Sequence, residues 1–67
     1  MQIFGQRLKE LRHERNLSQP ELAKLMQVSN GMISFWERGV YEPTASNIVK
    51  AAQIFKVSSD YLLGLED

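Results

Sequence analysis

Cysteine is absent from the chain, histidine occurs once, and neither sign of charge is in excess. Without cysteine there is no disulfide framework, and a single histidine leaves no credible structural zinc site. No apolar run approaches the roughly eighteen residues that a membrane span requires, and the N-terminus lacks the charged-then-apolar order of a signal peptide. The expected setting is therefore cytoplasmic, with no membrane, metal or cofactor involved. Eight Lys and Arg balance eight Asp and Glu, which argues against a nonspecific binder of polyanions. His13 has no nucleophile placed to partner it, and the carboxylates are scattered among basic residues. Enzymatic activity is not expected.

With 67 residues there is room for one domain, taken as residues 1–67. A chain this short buries only about 60% of its unfolded surface. With disulfides and metal excluded, tidy helix packing and dimerisation remain as sources of stability.

The most informative stretch is Gln19 to Arg38, QPELAKLMQVSNGMISFWER. Leu22, Ala23, Met26, Val28, Ile33 and Trp36 are its inward positions. Leu22 and Met26 lie one helical turn apart, as do Ile33 and Trp36, and Val28 falls in the tight turn between the pairs. The spacing describes two short amphipathic helices crossing steeply over a small core, with Ala23 at the close crossing. A helix-turn-helix has this geometry, and its second helix is shaped to enter the major groove of DNA.

The rest of the chain supplies three more helices. Phe4, Leu8 and Leu11 mark a first helix over about 2–15, stopped at Asn16. Ser18 and Glu21 form a capping box for helix 19–26, with Leu17 and Leu22 placed as a hydrophobic staple and Pro20 in the tolerant first turn. Ser29 caps a helix over 30–38 that ends at Gly39, and Pro43 keeps the following segment a loop. Thr44 caps helix 45–55, whose stripe is Ile48, Ala51, Ala52 and Phe55. Ser58 caps a last helix over 59–63, ended by Gly64.

In this five-helix context the phrases FGQRLKELRHERNLSQPELAKL, VSNGMISFWERG, YEPTASNIVKAAQIFKV and SSDYLLG closely resemble the phage-repressor/Cro-type (xenobiotic-response-element) helix-turn-helix family of transcriptional regulators. The resemblance runs from Phe4 to Gly64 and implies an all-α, lambda-repressor-like DNA-binding domain. It implies that Gln19 touches a phosphate and braces the recognition helix, and that Ser29 and Asn30 meet phosphate and base edges. Gly31, Ser34 and Phe35 fall at the other groove-facing positions. Arg12 and Glu37 fall at a structural ion pair. The sequence departs from the family pattern at Gln27 and Lys56, where glycine is common. A left-handed backbone at Gln27 would cost roughly 1 kcal/mol.

Side-chain chemistry sharpens these roles. Asn30 can pair with adenine N6 and N7, for about 1–3 kcal/mol of discrimination, or serve only as a second cap. Ser34 either bonds a base or phosphate or faces water. Phe35 is either a further core residue or, since Ile33 and Trp36 already define the inward face, an exposed ring beside it suited to a thymine methyl. Phosphate contacts rest largely on neutral donors, with Ser18, Tyr41 and Thr44 joining Gln19 and Ser29, and Arg38 and Lys24 are the nearest cations.

The functional expectation is sequence-specific binding of double-stranded DNA by a transcriptional repressor. A homodimer on a palindromic operator is expected, with half-sites about 34 Å apart. Tyr61 and Leu65 of the last helix region are the dimer candidates. The alternative is an antitoxin or protein-interaction module whose DNA binding is secondary.

Overall fold

In the computed structural model, which describes residues 1–67, five helices follow one another without a strand: α1 (Gln2–Glu14), α2 (Gln19–Met26), α3 (Asn30–Glu37), α4 (Ala45–Phe55) and α5 (Ser59–Leu62). Four of the starts have the same construction. Ser18, Ser29, Thr44 and Ser58 each hold extended backbone, and each side-chain oxygen accepts the amide three residues on. This satisfies one of the donors that a helix start leaves free. At Ser18 the box is reciprocal, because its own amide donates to Glu21 Oε1 at 2.8 Å. That hydrogen bond holds the exposed Glu21 carboxyl below its ordinary pKa.

All five ends share a second construction. Asn16, Gln27, Gly39, Lys56 and Gly64 have positive φ, from 55° to 81°. In each case the next residue's amide turns back to a carbonyl five residues earlier: Leu17 to Arg12, Val28 to Ala23, Val40 to Phe35, Val57 to Ala52 and Leu65 to Asp60. This is the Schellman motif, and its following residue is apolar every time. Leu17, Val28 and Val57 use that side chain to pack against the core. The motif also explains why α1, α3 and α5 end one residue before 15, 38 and 63. Arg15, Arg38 and Leu63 are the cap residues ahead of the left-handed turn.

Phe4, Leu8 and Leu11 of α1 meet Leu22, Ala23 and Met26 of α2, Ile33 and Trp36 of α3, Ala51, Ala52 and Phe55 of α4 and Leu62 of α5 in one core. Phe4 meets Trp36 edge to face, with ring centroids 5.9 Å apart. The tightest approach lies nearby at Gly5. A Cβ there would stand 2.0 Å from the Trp36 carbonyl oxygen, so α1 and α3 can cross at this distance only over a glycine. Lys50 Nζ donates to Met26 O at 3.2 Å, so α4 supplies a cation to the C-terminal end of α2.

Candidate nucleic-acid interface

Ile33 and Trp36 are buried, which anchors α3 by one face and turns Asn30, Gly31 and Ser34 outward. Asn30 and Gly31 are exposed, while Ser34 is half-buried. Ser34 is also engaged along its own helix, since Arg38 Nε donates to Ser34 Oγ at 3.2 Å.

Phe35 departs from the expected exposed ring. It is half-buried, its centroid 4.9 Å from that of Tyr41 at an interplanar angle of 67°, and the Arg38 guanidinium lies 5.1 Å over its face. The loop after α3 returns across the helix end and brings Tyr41 onto the ring, a contact that helical periodicity does not reveal. Phe35 therefore has much of its surface committed within the chain, and it links Arg38 to Tyr41.

Ser29, Tyr41 and Thr44 come together around a cleft of about 340 Å³ that Val28, Met32 and Trp36 also line. Ser29 Oγ accepts from Met32 N at 3.2 Å, and Thr44 Oγ1 accepts from Asn47 N and Asn47 Nδ2 at 3.2 and 3.0 Å. Each hydroxyl uses lone pairs in capping and keeps its proton to donate, which suits an anionic acceptor. Ser18 is in the same state at the start of α2, accepting from Glu21 N at 3.1 Å.

Beneath this surface Arg12 and Glu37 meet in a bidentate pair. Nε donates to Oε2 at 2.6 Å and Nη2 to Oε1 at 2.9 Å. Their side chains are only 10% and 3% exposed. Arg12 Nη1 also donates to Leu17 O at 2.9 Å. The hydrogen bond to Glu37 raises the Arg12 pKa, against the opposing effect of burial. Gln19 Nε2 donates to Glu37 Oε1 at 3.0 Å, so the start of α2 is fastened to the end of α3.

Two further arginines are engaged within the chain. The Arg7 guanidinium lies 4.2 Å over the Tyr61 ring and donates to the carbonyls of Tyr61 and Glu66. Arg15 donates to Phe55 O at 3.2 Å. These contacts cross the whole chain, and no local sequence signal marks them. Tyr61, packed against the core and covered by Arg7, is half-buried, whereas Leu65 is 72% exposed. The two dimer candidates thus have different standing as surface residues.

A capped helix pair joined by a left-handed turn, buttressed by three further helices, defines a helix-turn-helix protein. The helix-turn-helix family profile matches residues 8–62, and the chain belongs to that family. It is 35% identical over 64 residues to the HTH-type transcriptional regulator ImmR of Bacillus subtilis, covering 96% of this chain and 50% of ImmR. It is 37% identical over 62 residues to repressor protein C2 of Salmonella phage P22, covering 92% of this chain and 29% of the repressor. The chain thus spans half or less of the length of these relatives. Among solved structures it resembles the P22 c2 repressor in complex with a synthetic operator, at 35% identity and a TM-score of 0.85 over 92% of this chain and 94% of that one. It also resembles the biofilm master regulator SinR in complex with DNA, at 33% identity and a TM-score of 0.82 over 90% and 97%.

Proposed function

We propose that the chain is the sequence-specific DNA-binding domain of a transcriptional regulator acting as a repressor. In this reading α3 enters the major groove of double-stranded DNA and α2 lies across the backbone. The observation that carries it is the division of α3 into an anchored face, Ile33 and Trp36, and an outward face bearing Asn30, Gly31 and Ser34. The P22 c2 and SinR structures, described as complexes with an operator and with DNA, support it.

Asn30 reads a base edge, with Ser34 beside it. Phe35 offers only its remaining exposed edge to a thymine methyl and otherwise positions Arg38 and Tyr41. Ser18, Gln19, Ser29, Tyr41 and Thr44 donate to phosphates. One module reads too few base pairs for useful specificity, so the chain works as a homodimer on a palindromic operator. Leu65 is the better exposed of the two dimer candidates.

Selection from randomised duplex DNA tests this reading. A palindromic enriched site is expected, and Asn30→Ala should relax preference at one position per half-site by about 1–3 kcal/mol. Uniform weakening with unchanged preference would move Asn30 to the phosphates. A chain that enriches no sequence overturns the proposal.

A further inference from the structure

The cleft of about 340 Å³ beside the starts of α3 and α4 is lined by three kinds of group. Val28, Met32 and Trp36 are apolar. Ser29 Oγ and Thr44 Oγ1 each accept a backbone amide and keep a hydroxyl proton free to donate. Glu42 supplies a carboxylate, the sole ionised side chain of the lining, and no lysine or arginine is there to balance it. An ammonium already stands near that carboxylate. The amino group of Met1 lies 3.8 Å from Glu42 Oε1, in an exposed pair that holds little energy.

Resting on the DNA-binding reading above, we propose that this cleft binds an α-amino acid with a large apolar side chain, and that its occupant excludes DNA. The ammonium of the ligand pairs with Glu42, and its carboxylate accepts from the hydroxyls of Ser29 and Thr44. The apolar side chain lies against Val28, Met32 and Trp36. A zwitterion answers both kinds of polar group. A simple anion would meet Glu42 uncompensated, and a simple amine would leave the two hydroxyls to water. The size agrees, because ligand pockets hold about 300–1,000 Å³ and this one stands at the small end of that range. The same two hydroxyls are donors that the DNA-binding reading gives to phosphates. An amino-acid carboxylate satisfies them first, so ligand and phosphate compete, and occupancy of DNA falls as the amino acid accumulates.

Phenylalanine, 3-phenylpropionate and 2-phenylethylammonium are the probes, the second lacking the ammonium and the third the carboxylate. Binding to the free chain is followed by Trp36 fluorescence and by the NMR shifts of the Met32 and Asn47 amides, which donate to the two hydroxyls. Phenylalanine should bind with a Kd of about 1 mM, what a ligand of this size reaches at ordinary efficiency. Each truncated probe should bind about fivefold more weakly, having lost one exposed charged contact. The Glu42 side chain is 75% exposed, so Glu42→Gln leaves the fold intact. That variant should erase the preference for phenylalanine over 3-phenylpropionate and keep the preference over 2-phenylethylammonium. At about ten times its Kd, phenylalanine should lower the affinity for the enriched duplex about tenfold, and glycine at the same concentration should not. Unmoved Met32 and Asn47 amides, equal binding of the three probes, or a preference for phenylalanine over 3-phenylpropionate that survives Glu42→Gln overturns the proposed site. Binding in the cleft with DNA affinity unchanged overturns the exclusion. A chain that enriches no DNA site overturns the DNA-binding reading and the exclusion with it, while titration of the free chain still decides the cleft.

Discussion

Gln19 Nε2 and Arg12 Nη2 converge on the same carboxylate oxygen, Glu37 Oε1, at 3.0 and 2.9 Å. One acidic side chain thereby joins α1, the first residue of α2 and the last residue of α3. It fixes the angle at which α3 is presented. Because the Arg12–Glu37 pair is almost fully enclosed, its removal matters more than its presence.

Glu37→Ala leaves a buried guanidinium without a counter-ion and should cost about 3–5 kcal/mol. A domain of this size has total stability of roughly 5 kcal/mol, so at most about 2 kcal/mol should remain and the variant should stand close to its unfolding midpoint. Gln19→Ala removes one neutral-to-charged hydrogen bond and should cost about 1.5 kcal/mol. Replacing both ionic partners, as Arg12→Met with Glu37→Leu, should recover most of the loss. Urea denaturation followed by the fluorescence of buried Trp36 measures all three. A loss under about 1 kcal/mol for Glu37→Ala would show that the pair is not holding the helices.

Gly5→Ala should destabilise despite alanine's higher helix propensity. The clash is with backbone atoms of Trp36 and Glu37, so α1 and α3 must separate. Overpacking of this kind costs about 1–3 kcal/mol. Thermal denaturation checks the sign, and a midpoint equal to or above that of the wild type would contradict the close crossing.

Much of this architecture was legible in the sequence because helix starts announce themselves locally. Ser18, Ser29, Thr44 and Ser58 could each be placed from one side chain and the pattern after it. Helix ends were marked locally by glycine or asparagine at Asn16, Gly39 and Gly64, whereas for helices 19–26 and 45–55 only the family resemblance flagged the residues that follow, Gln27 and Lys56, as standing where glycine is common. Gln27 and Lys56 carry no such mark, although the apolar Val28 and Val57 that follow were an available signal for the shared turn. What stayed hidden depends on distant parts of the chain. Gly5 faces a helix some thirty residues away, Arg7 reaches across to Tyr61 and Glu66, and Tyr41 folds back onto Phe35. No local periodicity encodes those meetings.

Gln27 and Lys56 hold φ of 60° and 56° without glycine's freedom. The left-handed backbone costs an L residue about 1–2 kcal/mol, and part of the gain from glycine is returned as unfolded-state entropy. Gln27→Gly and Lys56→Gly should each stabilise by about 0.5–1 kcal/mol. Asn16→Gly should gain less, since asparagine tolerates this conformation better. Chemical denaturation of the three variants ranks them, and a destabilised Lys56→Gly would mean that its side chain contributes something the backbone geometry does not show.

Salt dependence tests how the proposed interface spends its charge. Arg7, Arg12, Arg15 and Lys50 are bonded to groups within the chain. Of the other four cations, Lys9 belongs to α1 and Lys56 follows α4, so Lys24 of α2 and Arg38 at the end of α3, the latter hydrogen-bonded only to Ser34, are the two that α2 and α3 carry. Two phosphates neutralised per chain, or four per dimer, give a slope of log K against log salt of about −4. A slope near −10 would mean that further cations are engaged and would defeat the picture of a surface reading DNA through neutral donors. Arg38→Ala should make the slope shallower by about 2 per dimer while leaving the preferred sequence unchanged. Phe35→Ala should move the slope in the same direction by a smaller amount, because Arg38 keeps its charge but loses the ring beneath it. Combining the two substitutions should add little to Arg38→Ala alone, as expected when one residue acts through the other. Fully additive changes in slope would instead show that Phe35 affects phosphate contacts by a route other than Arg38.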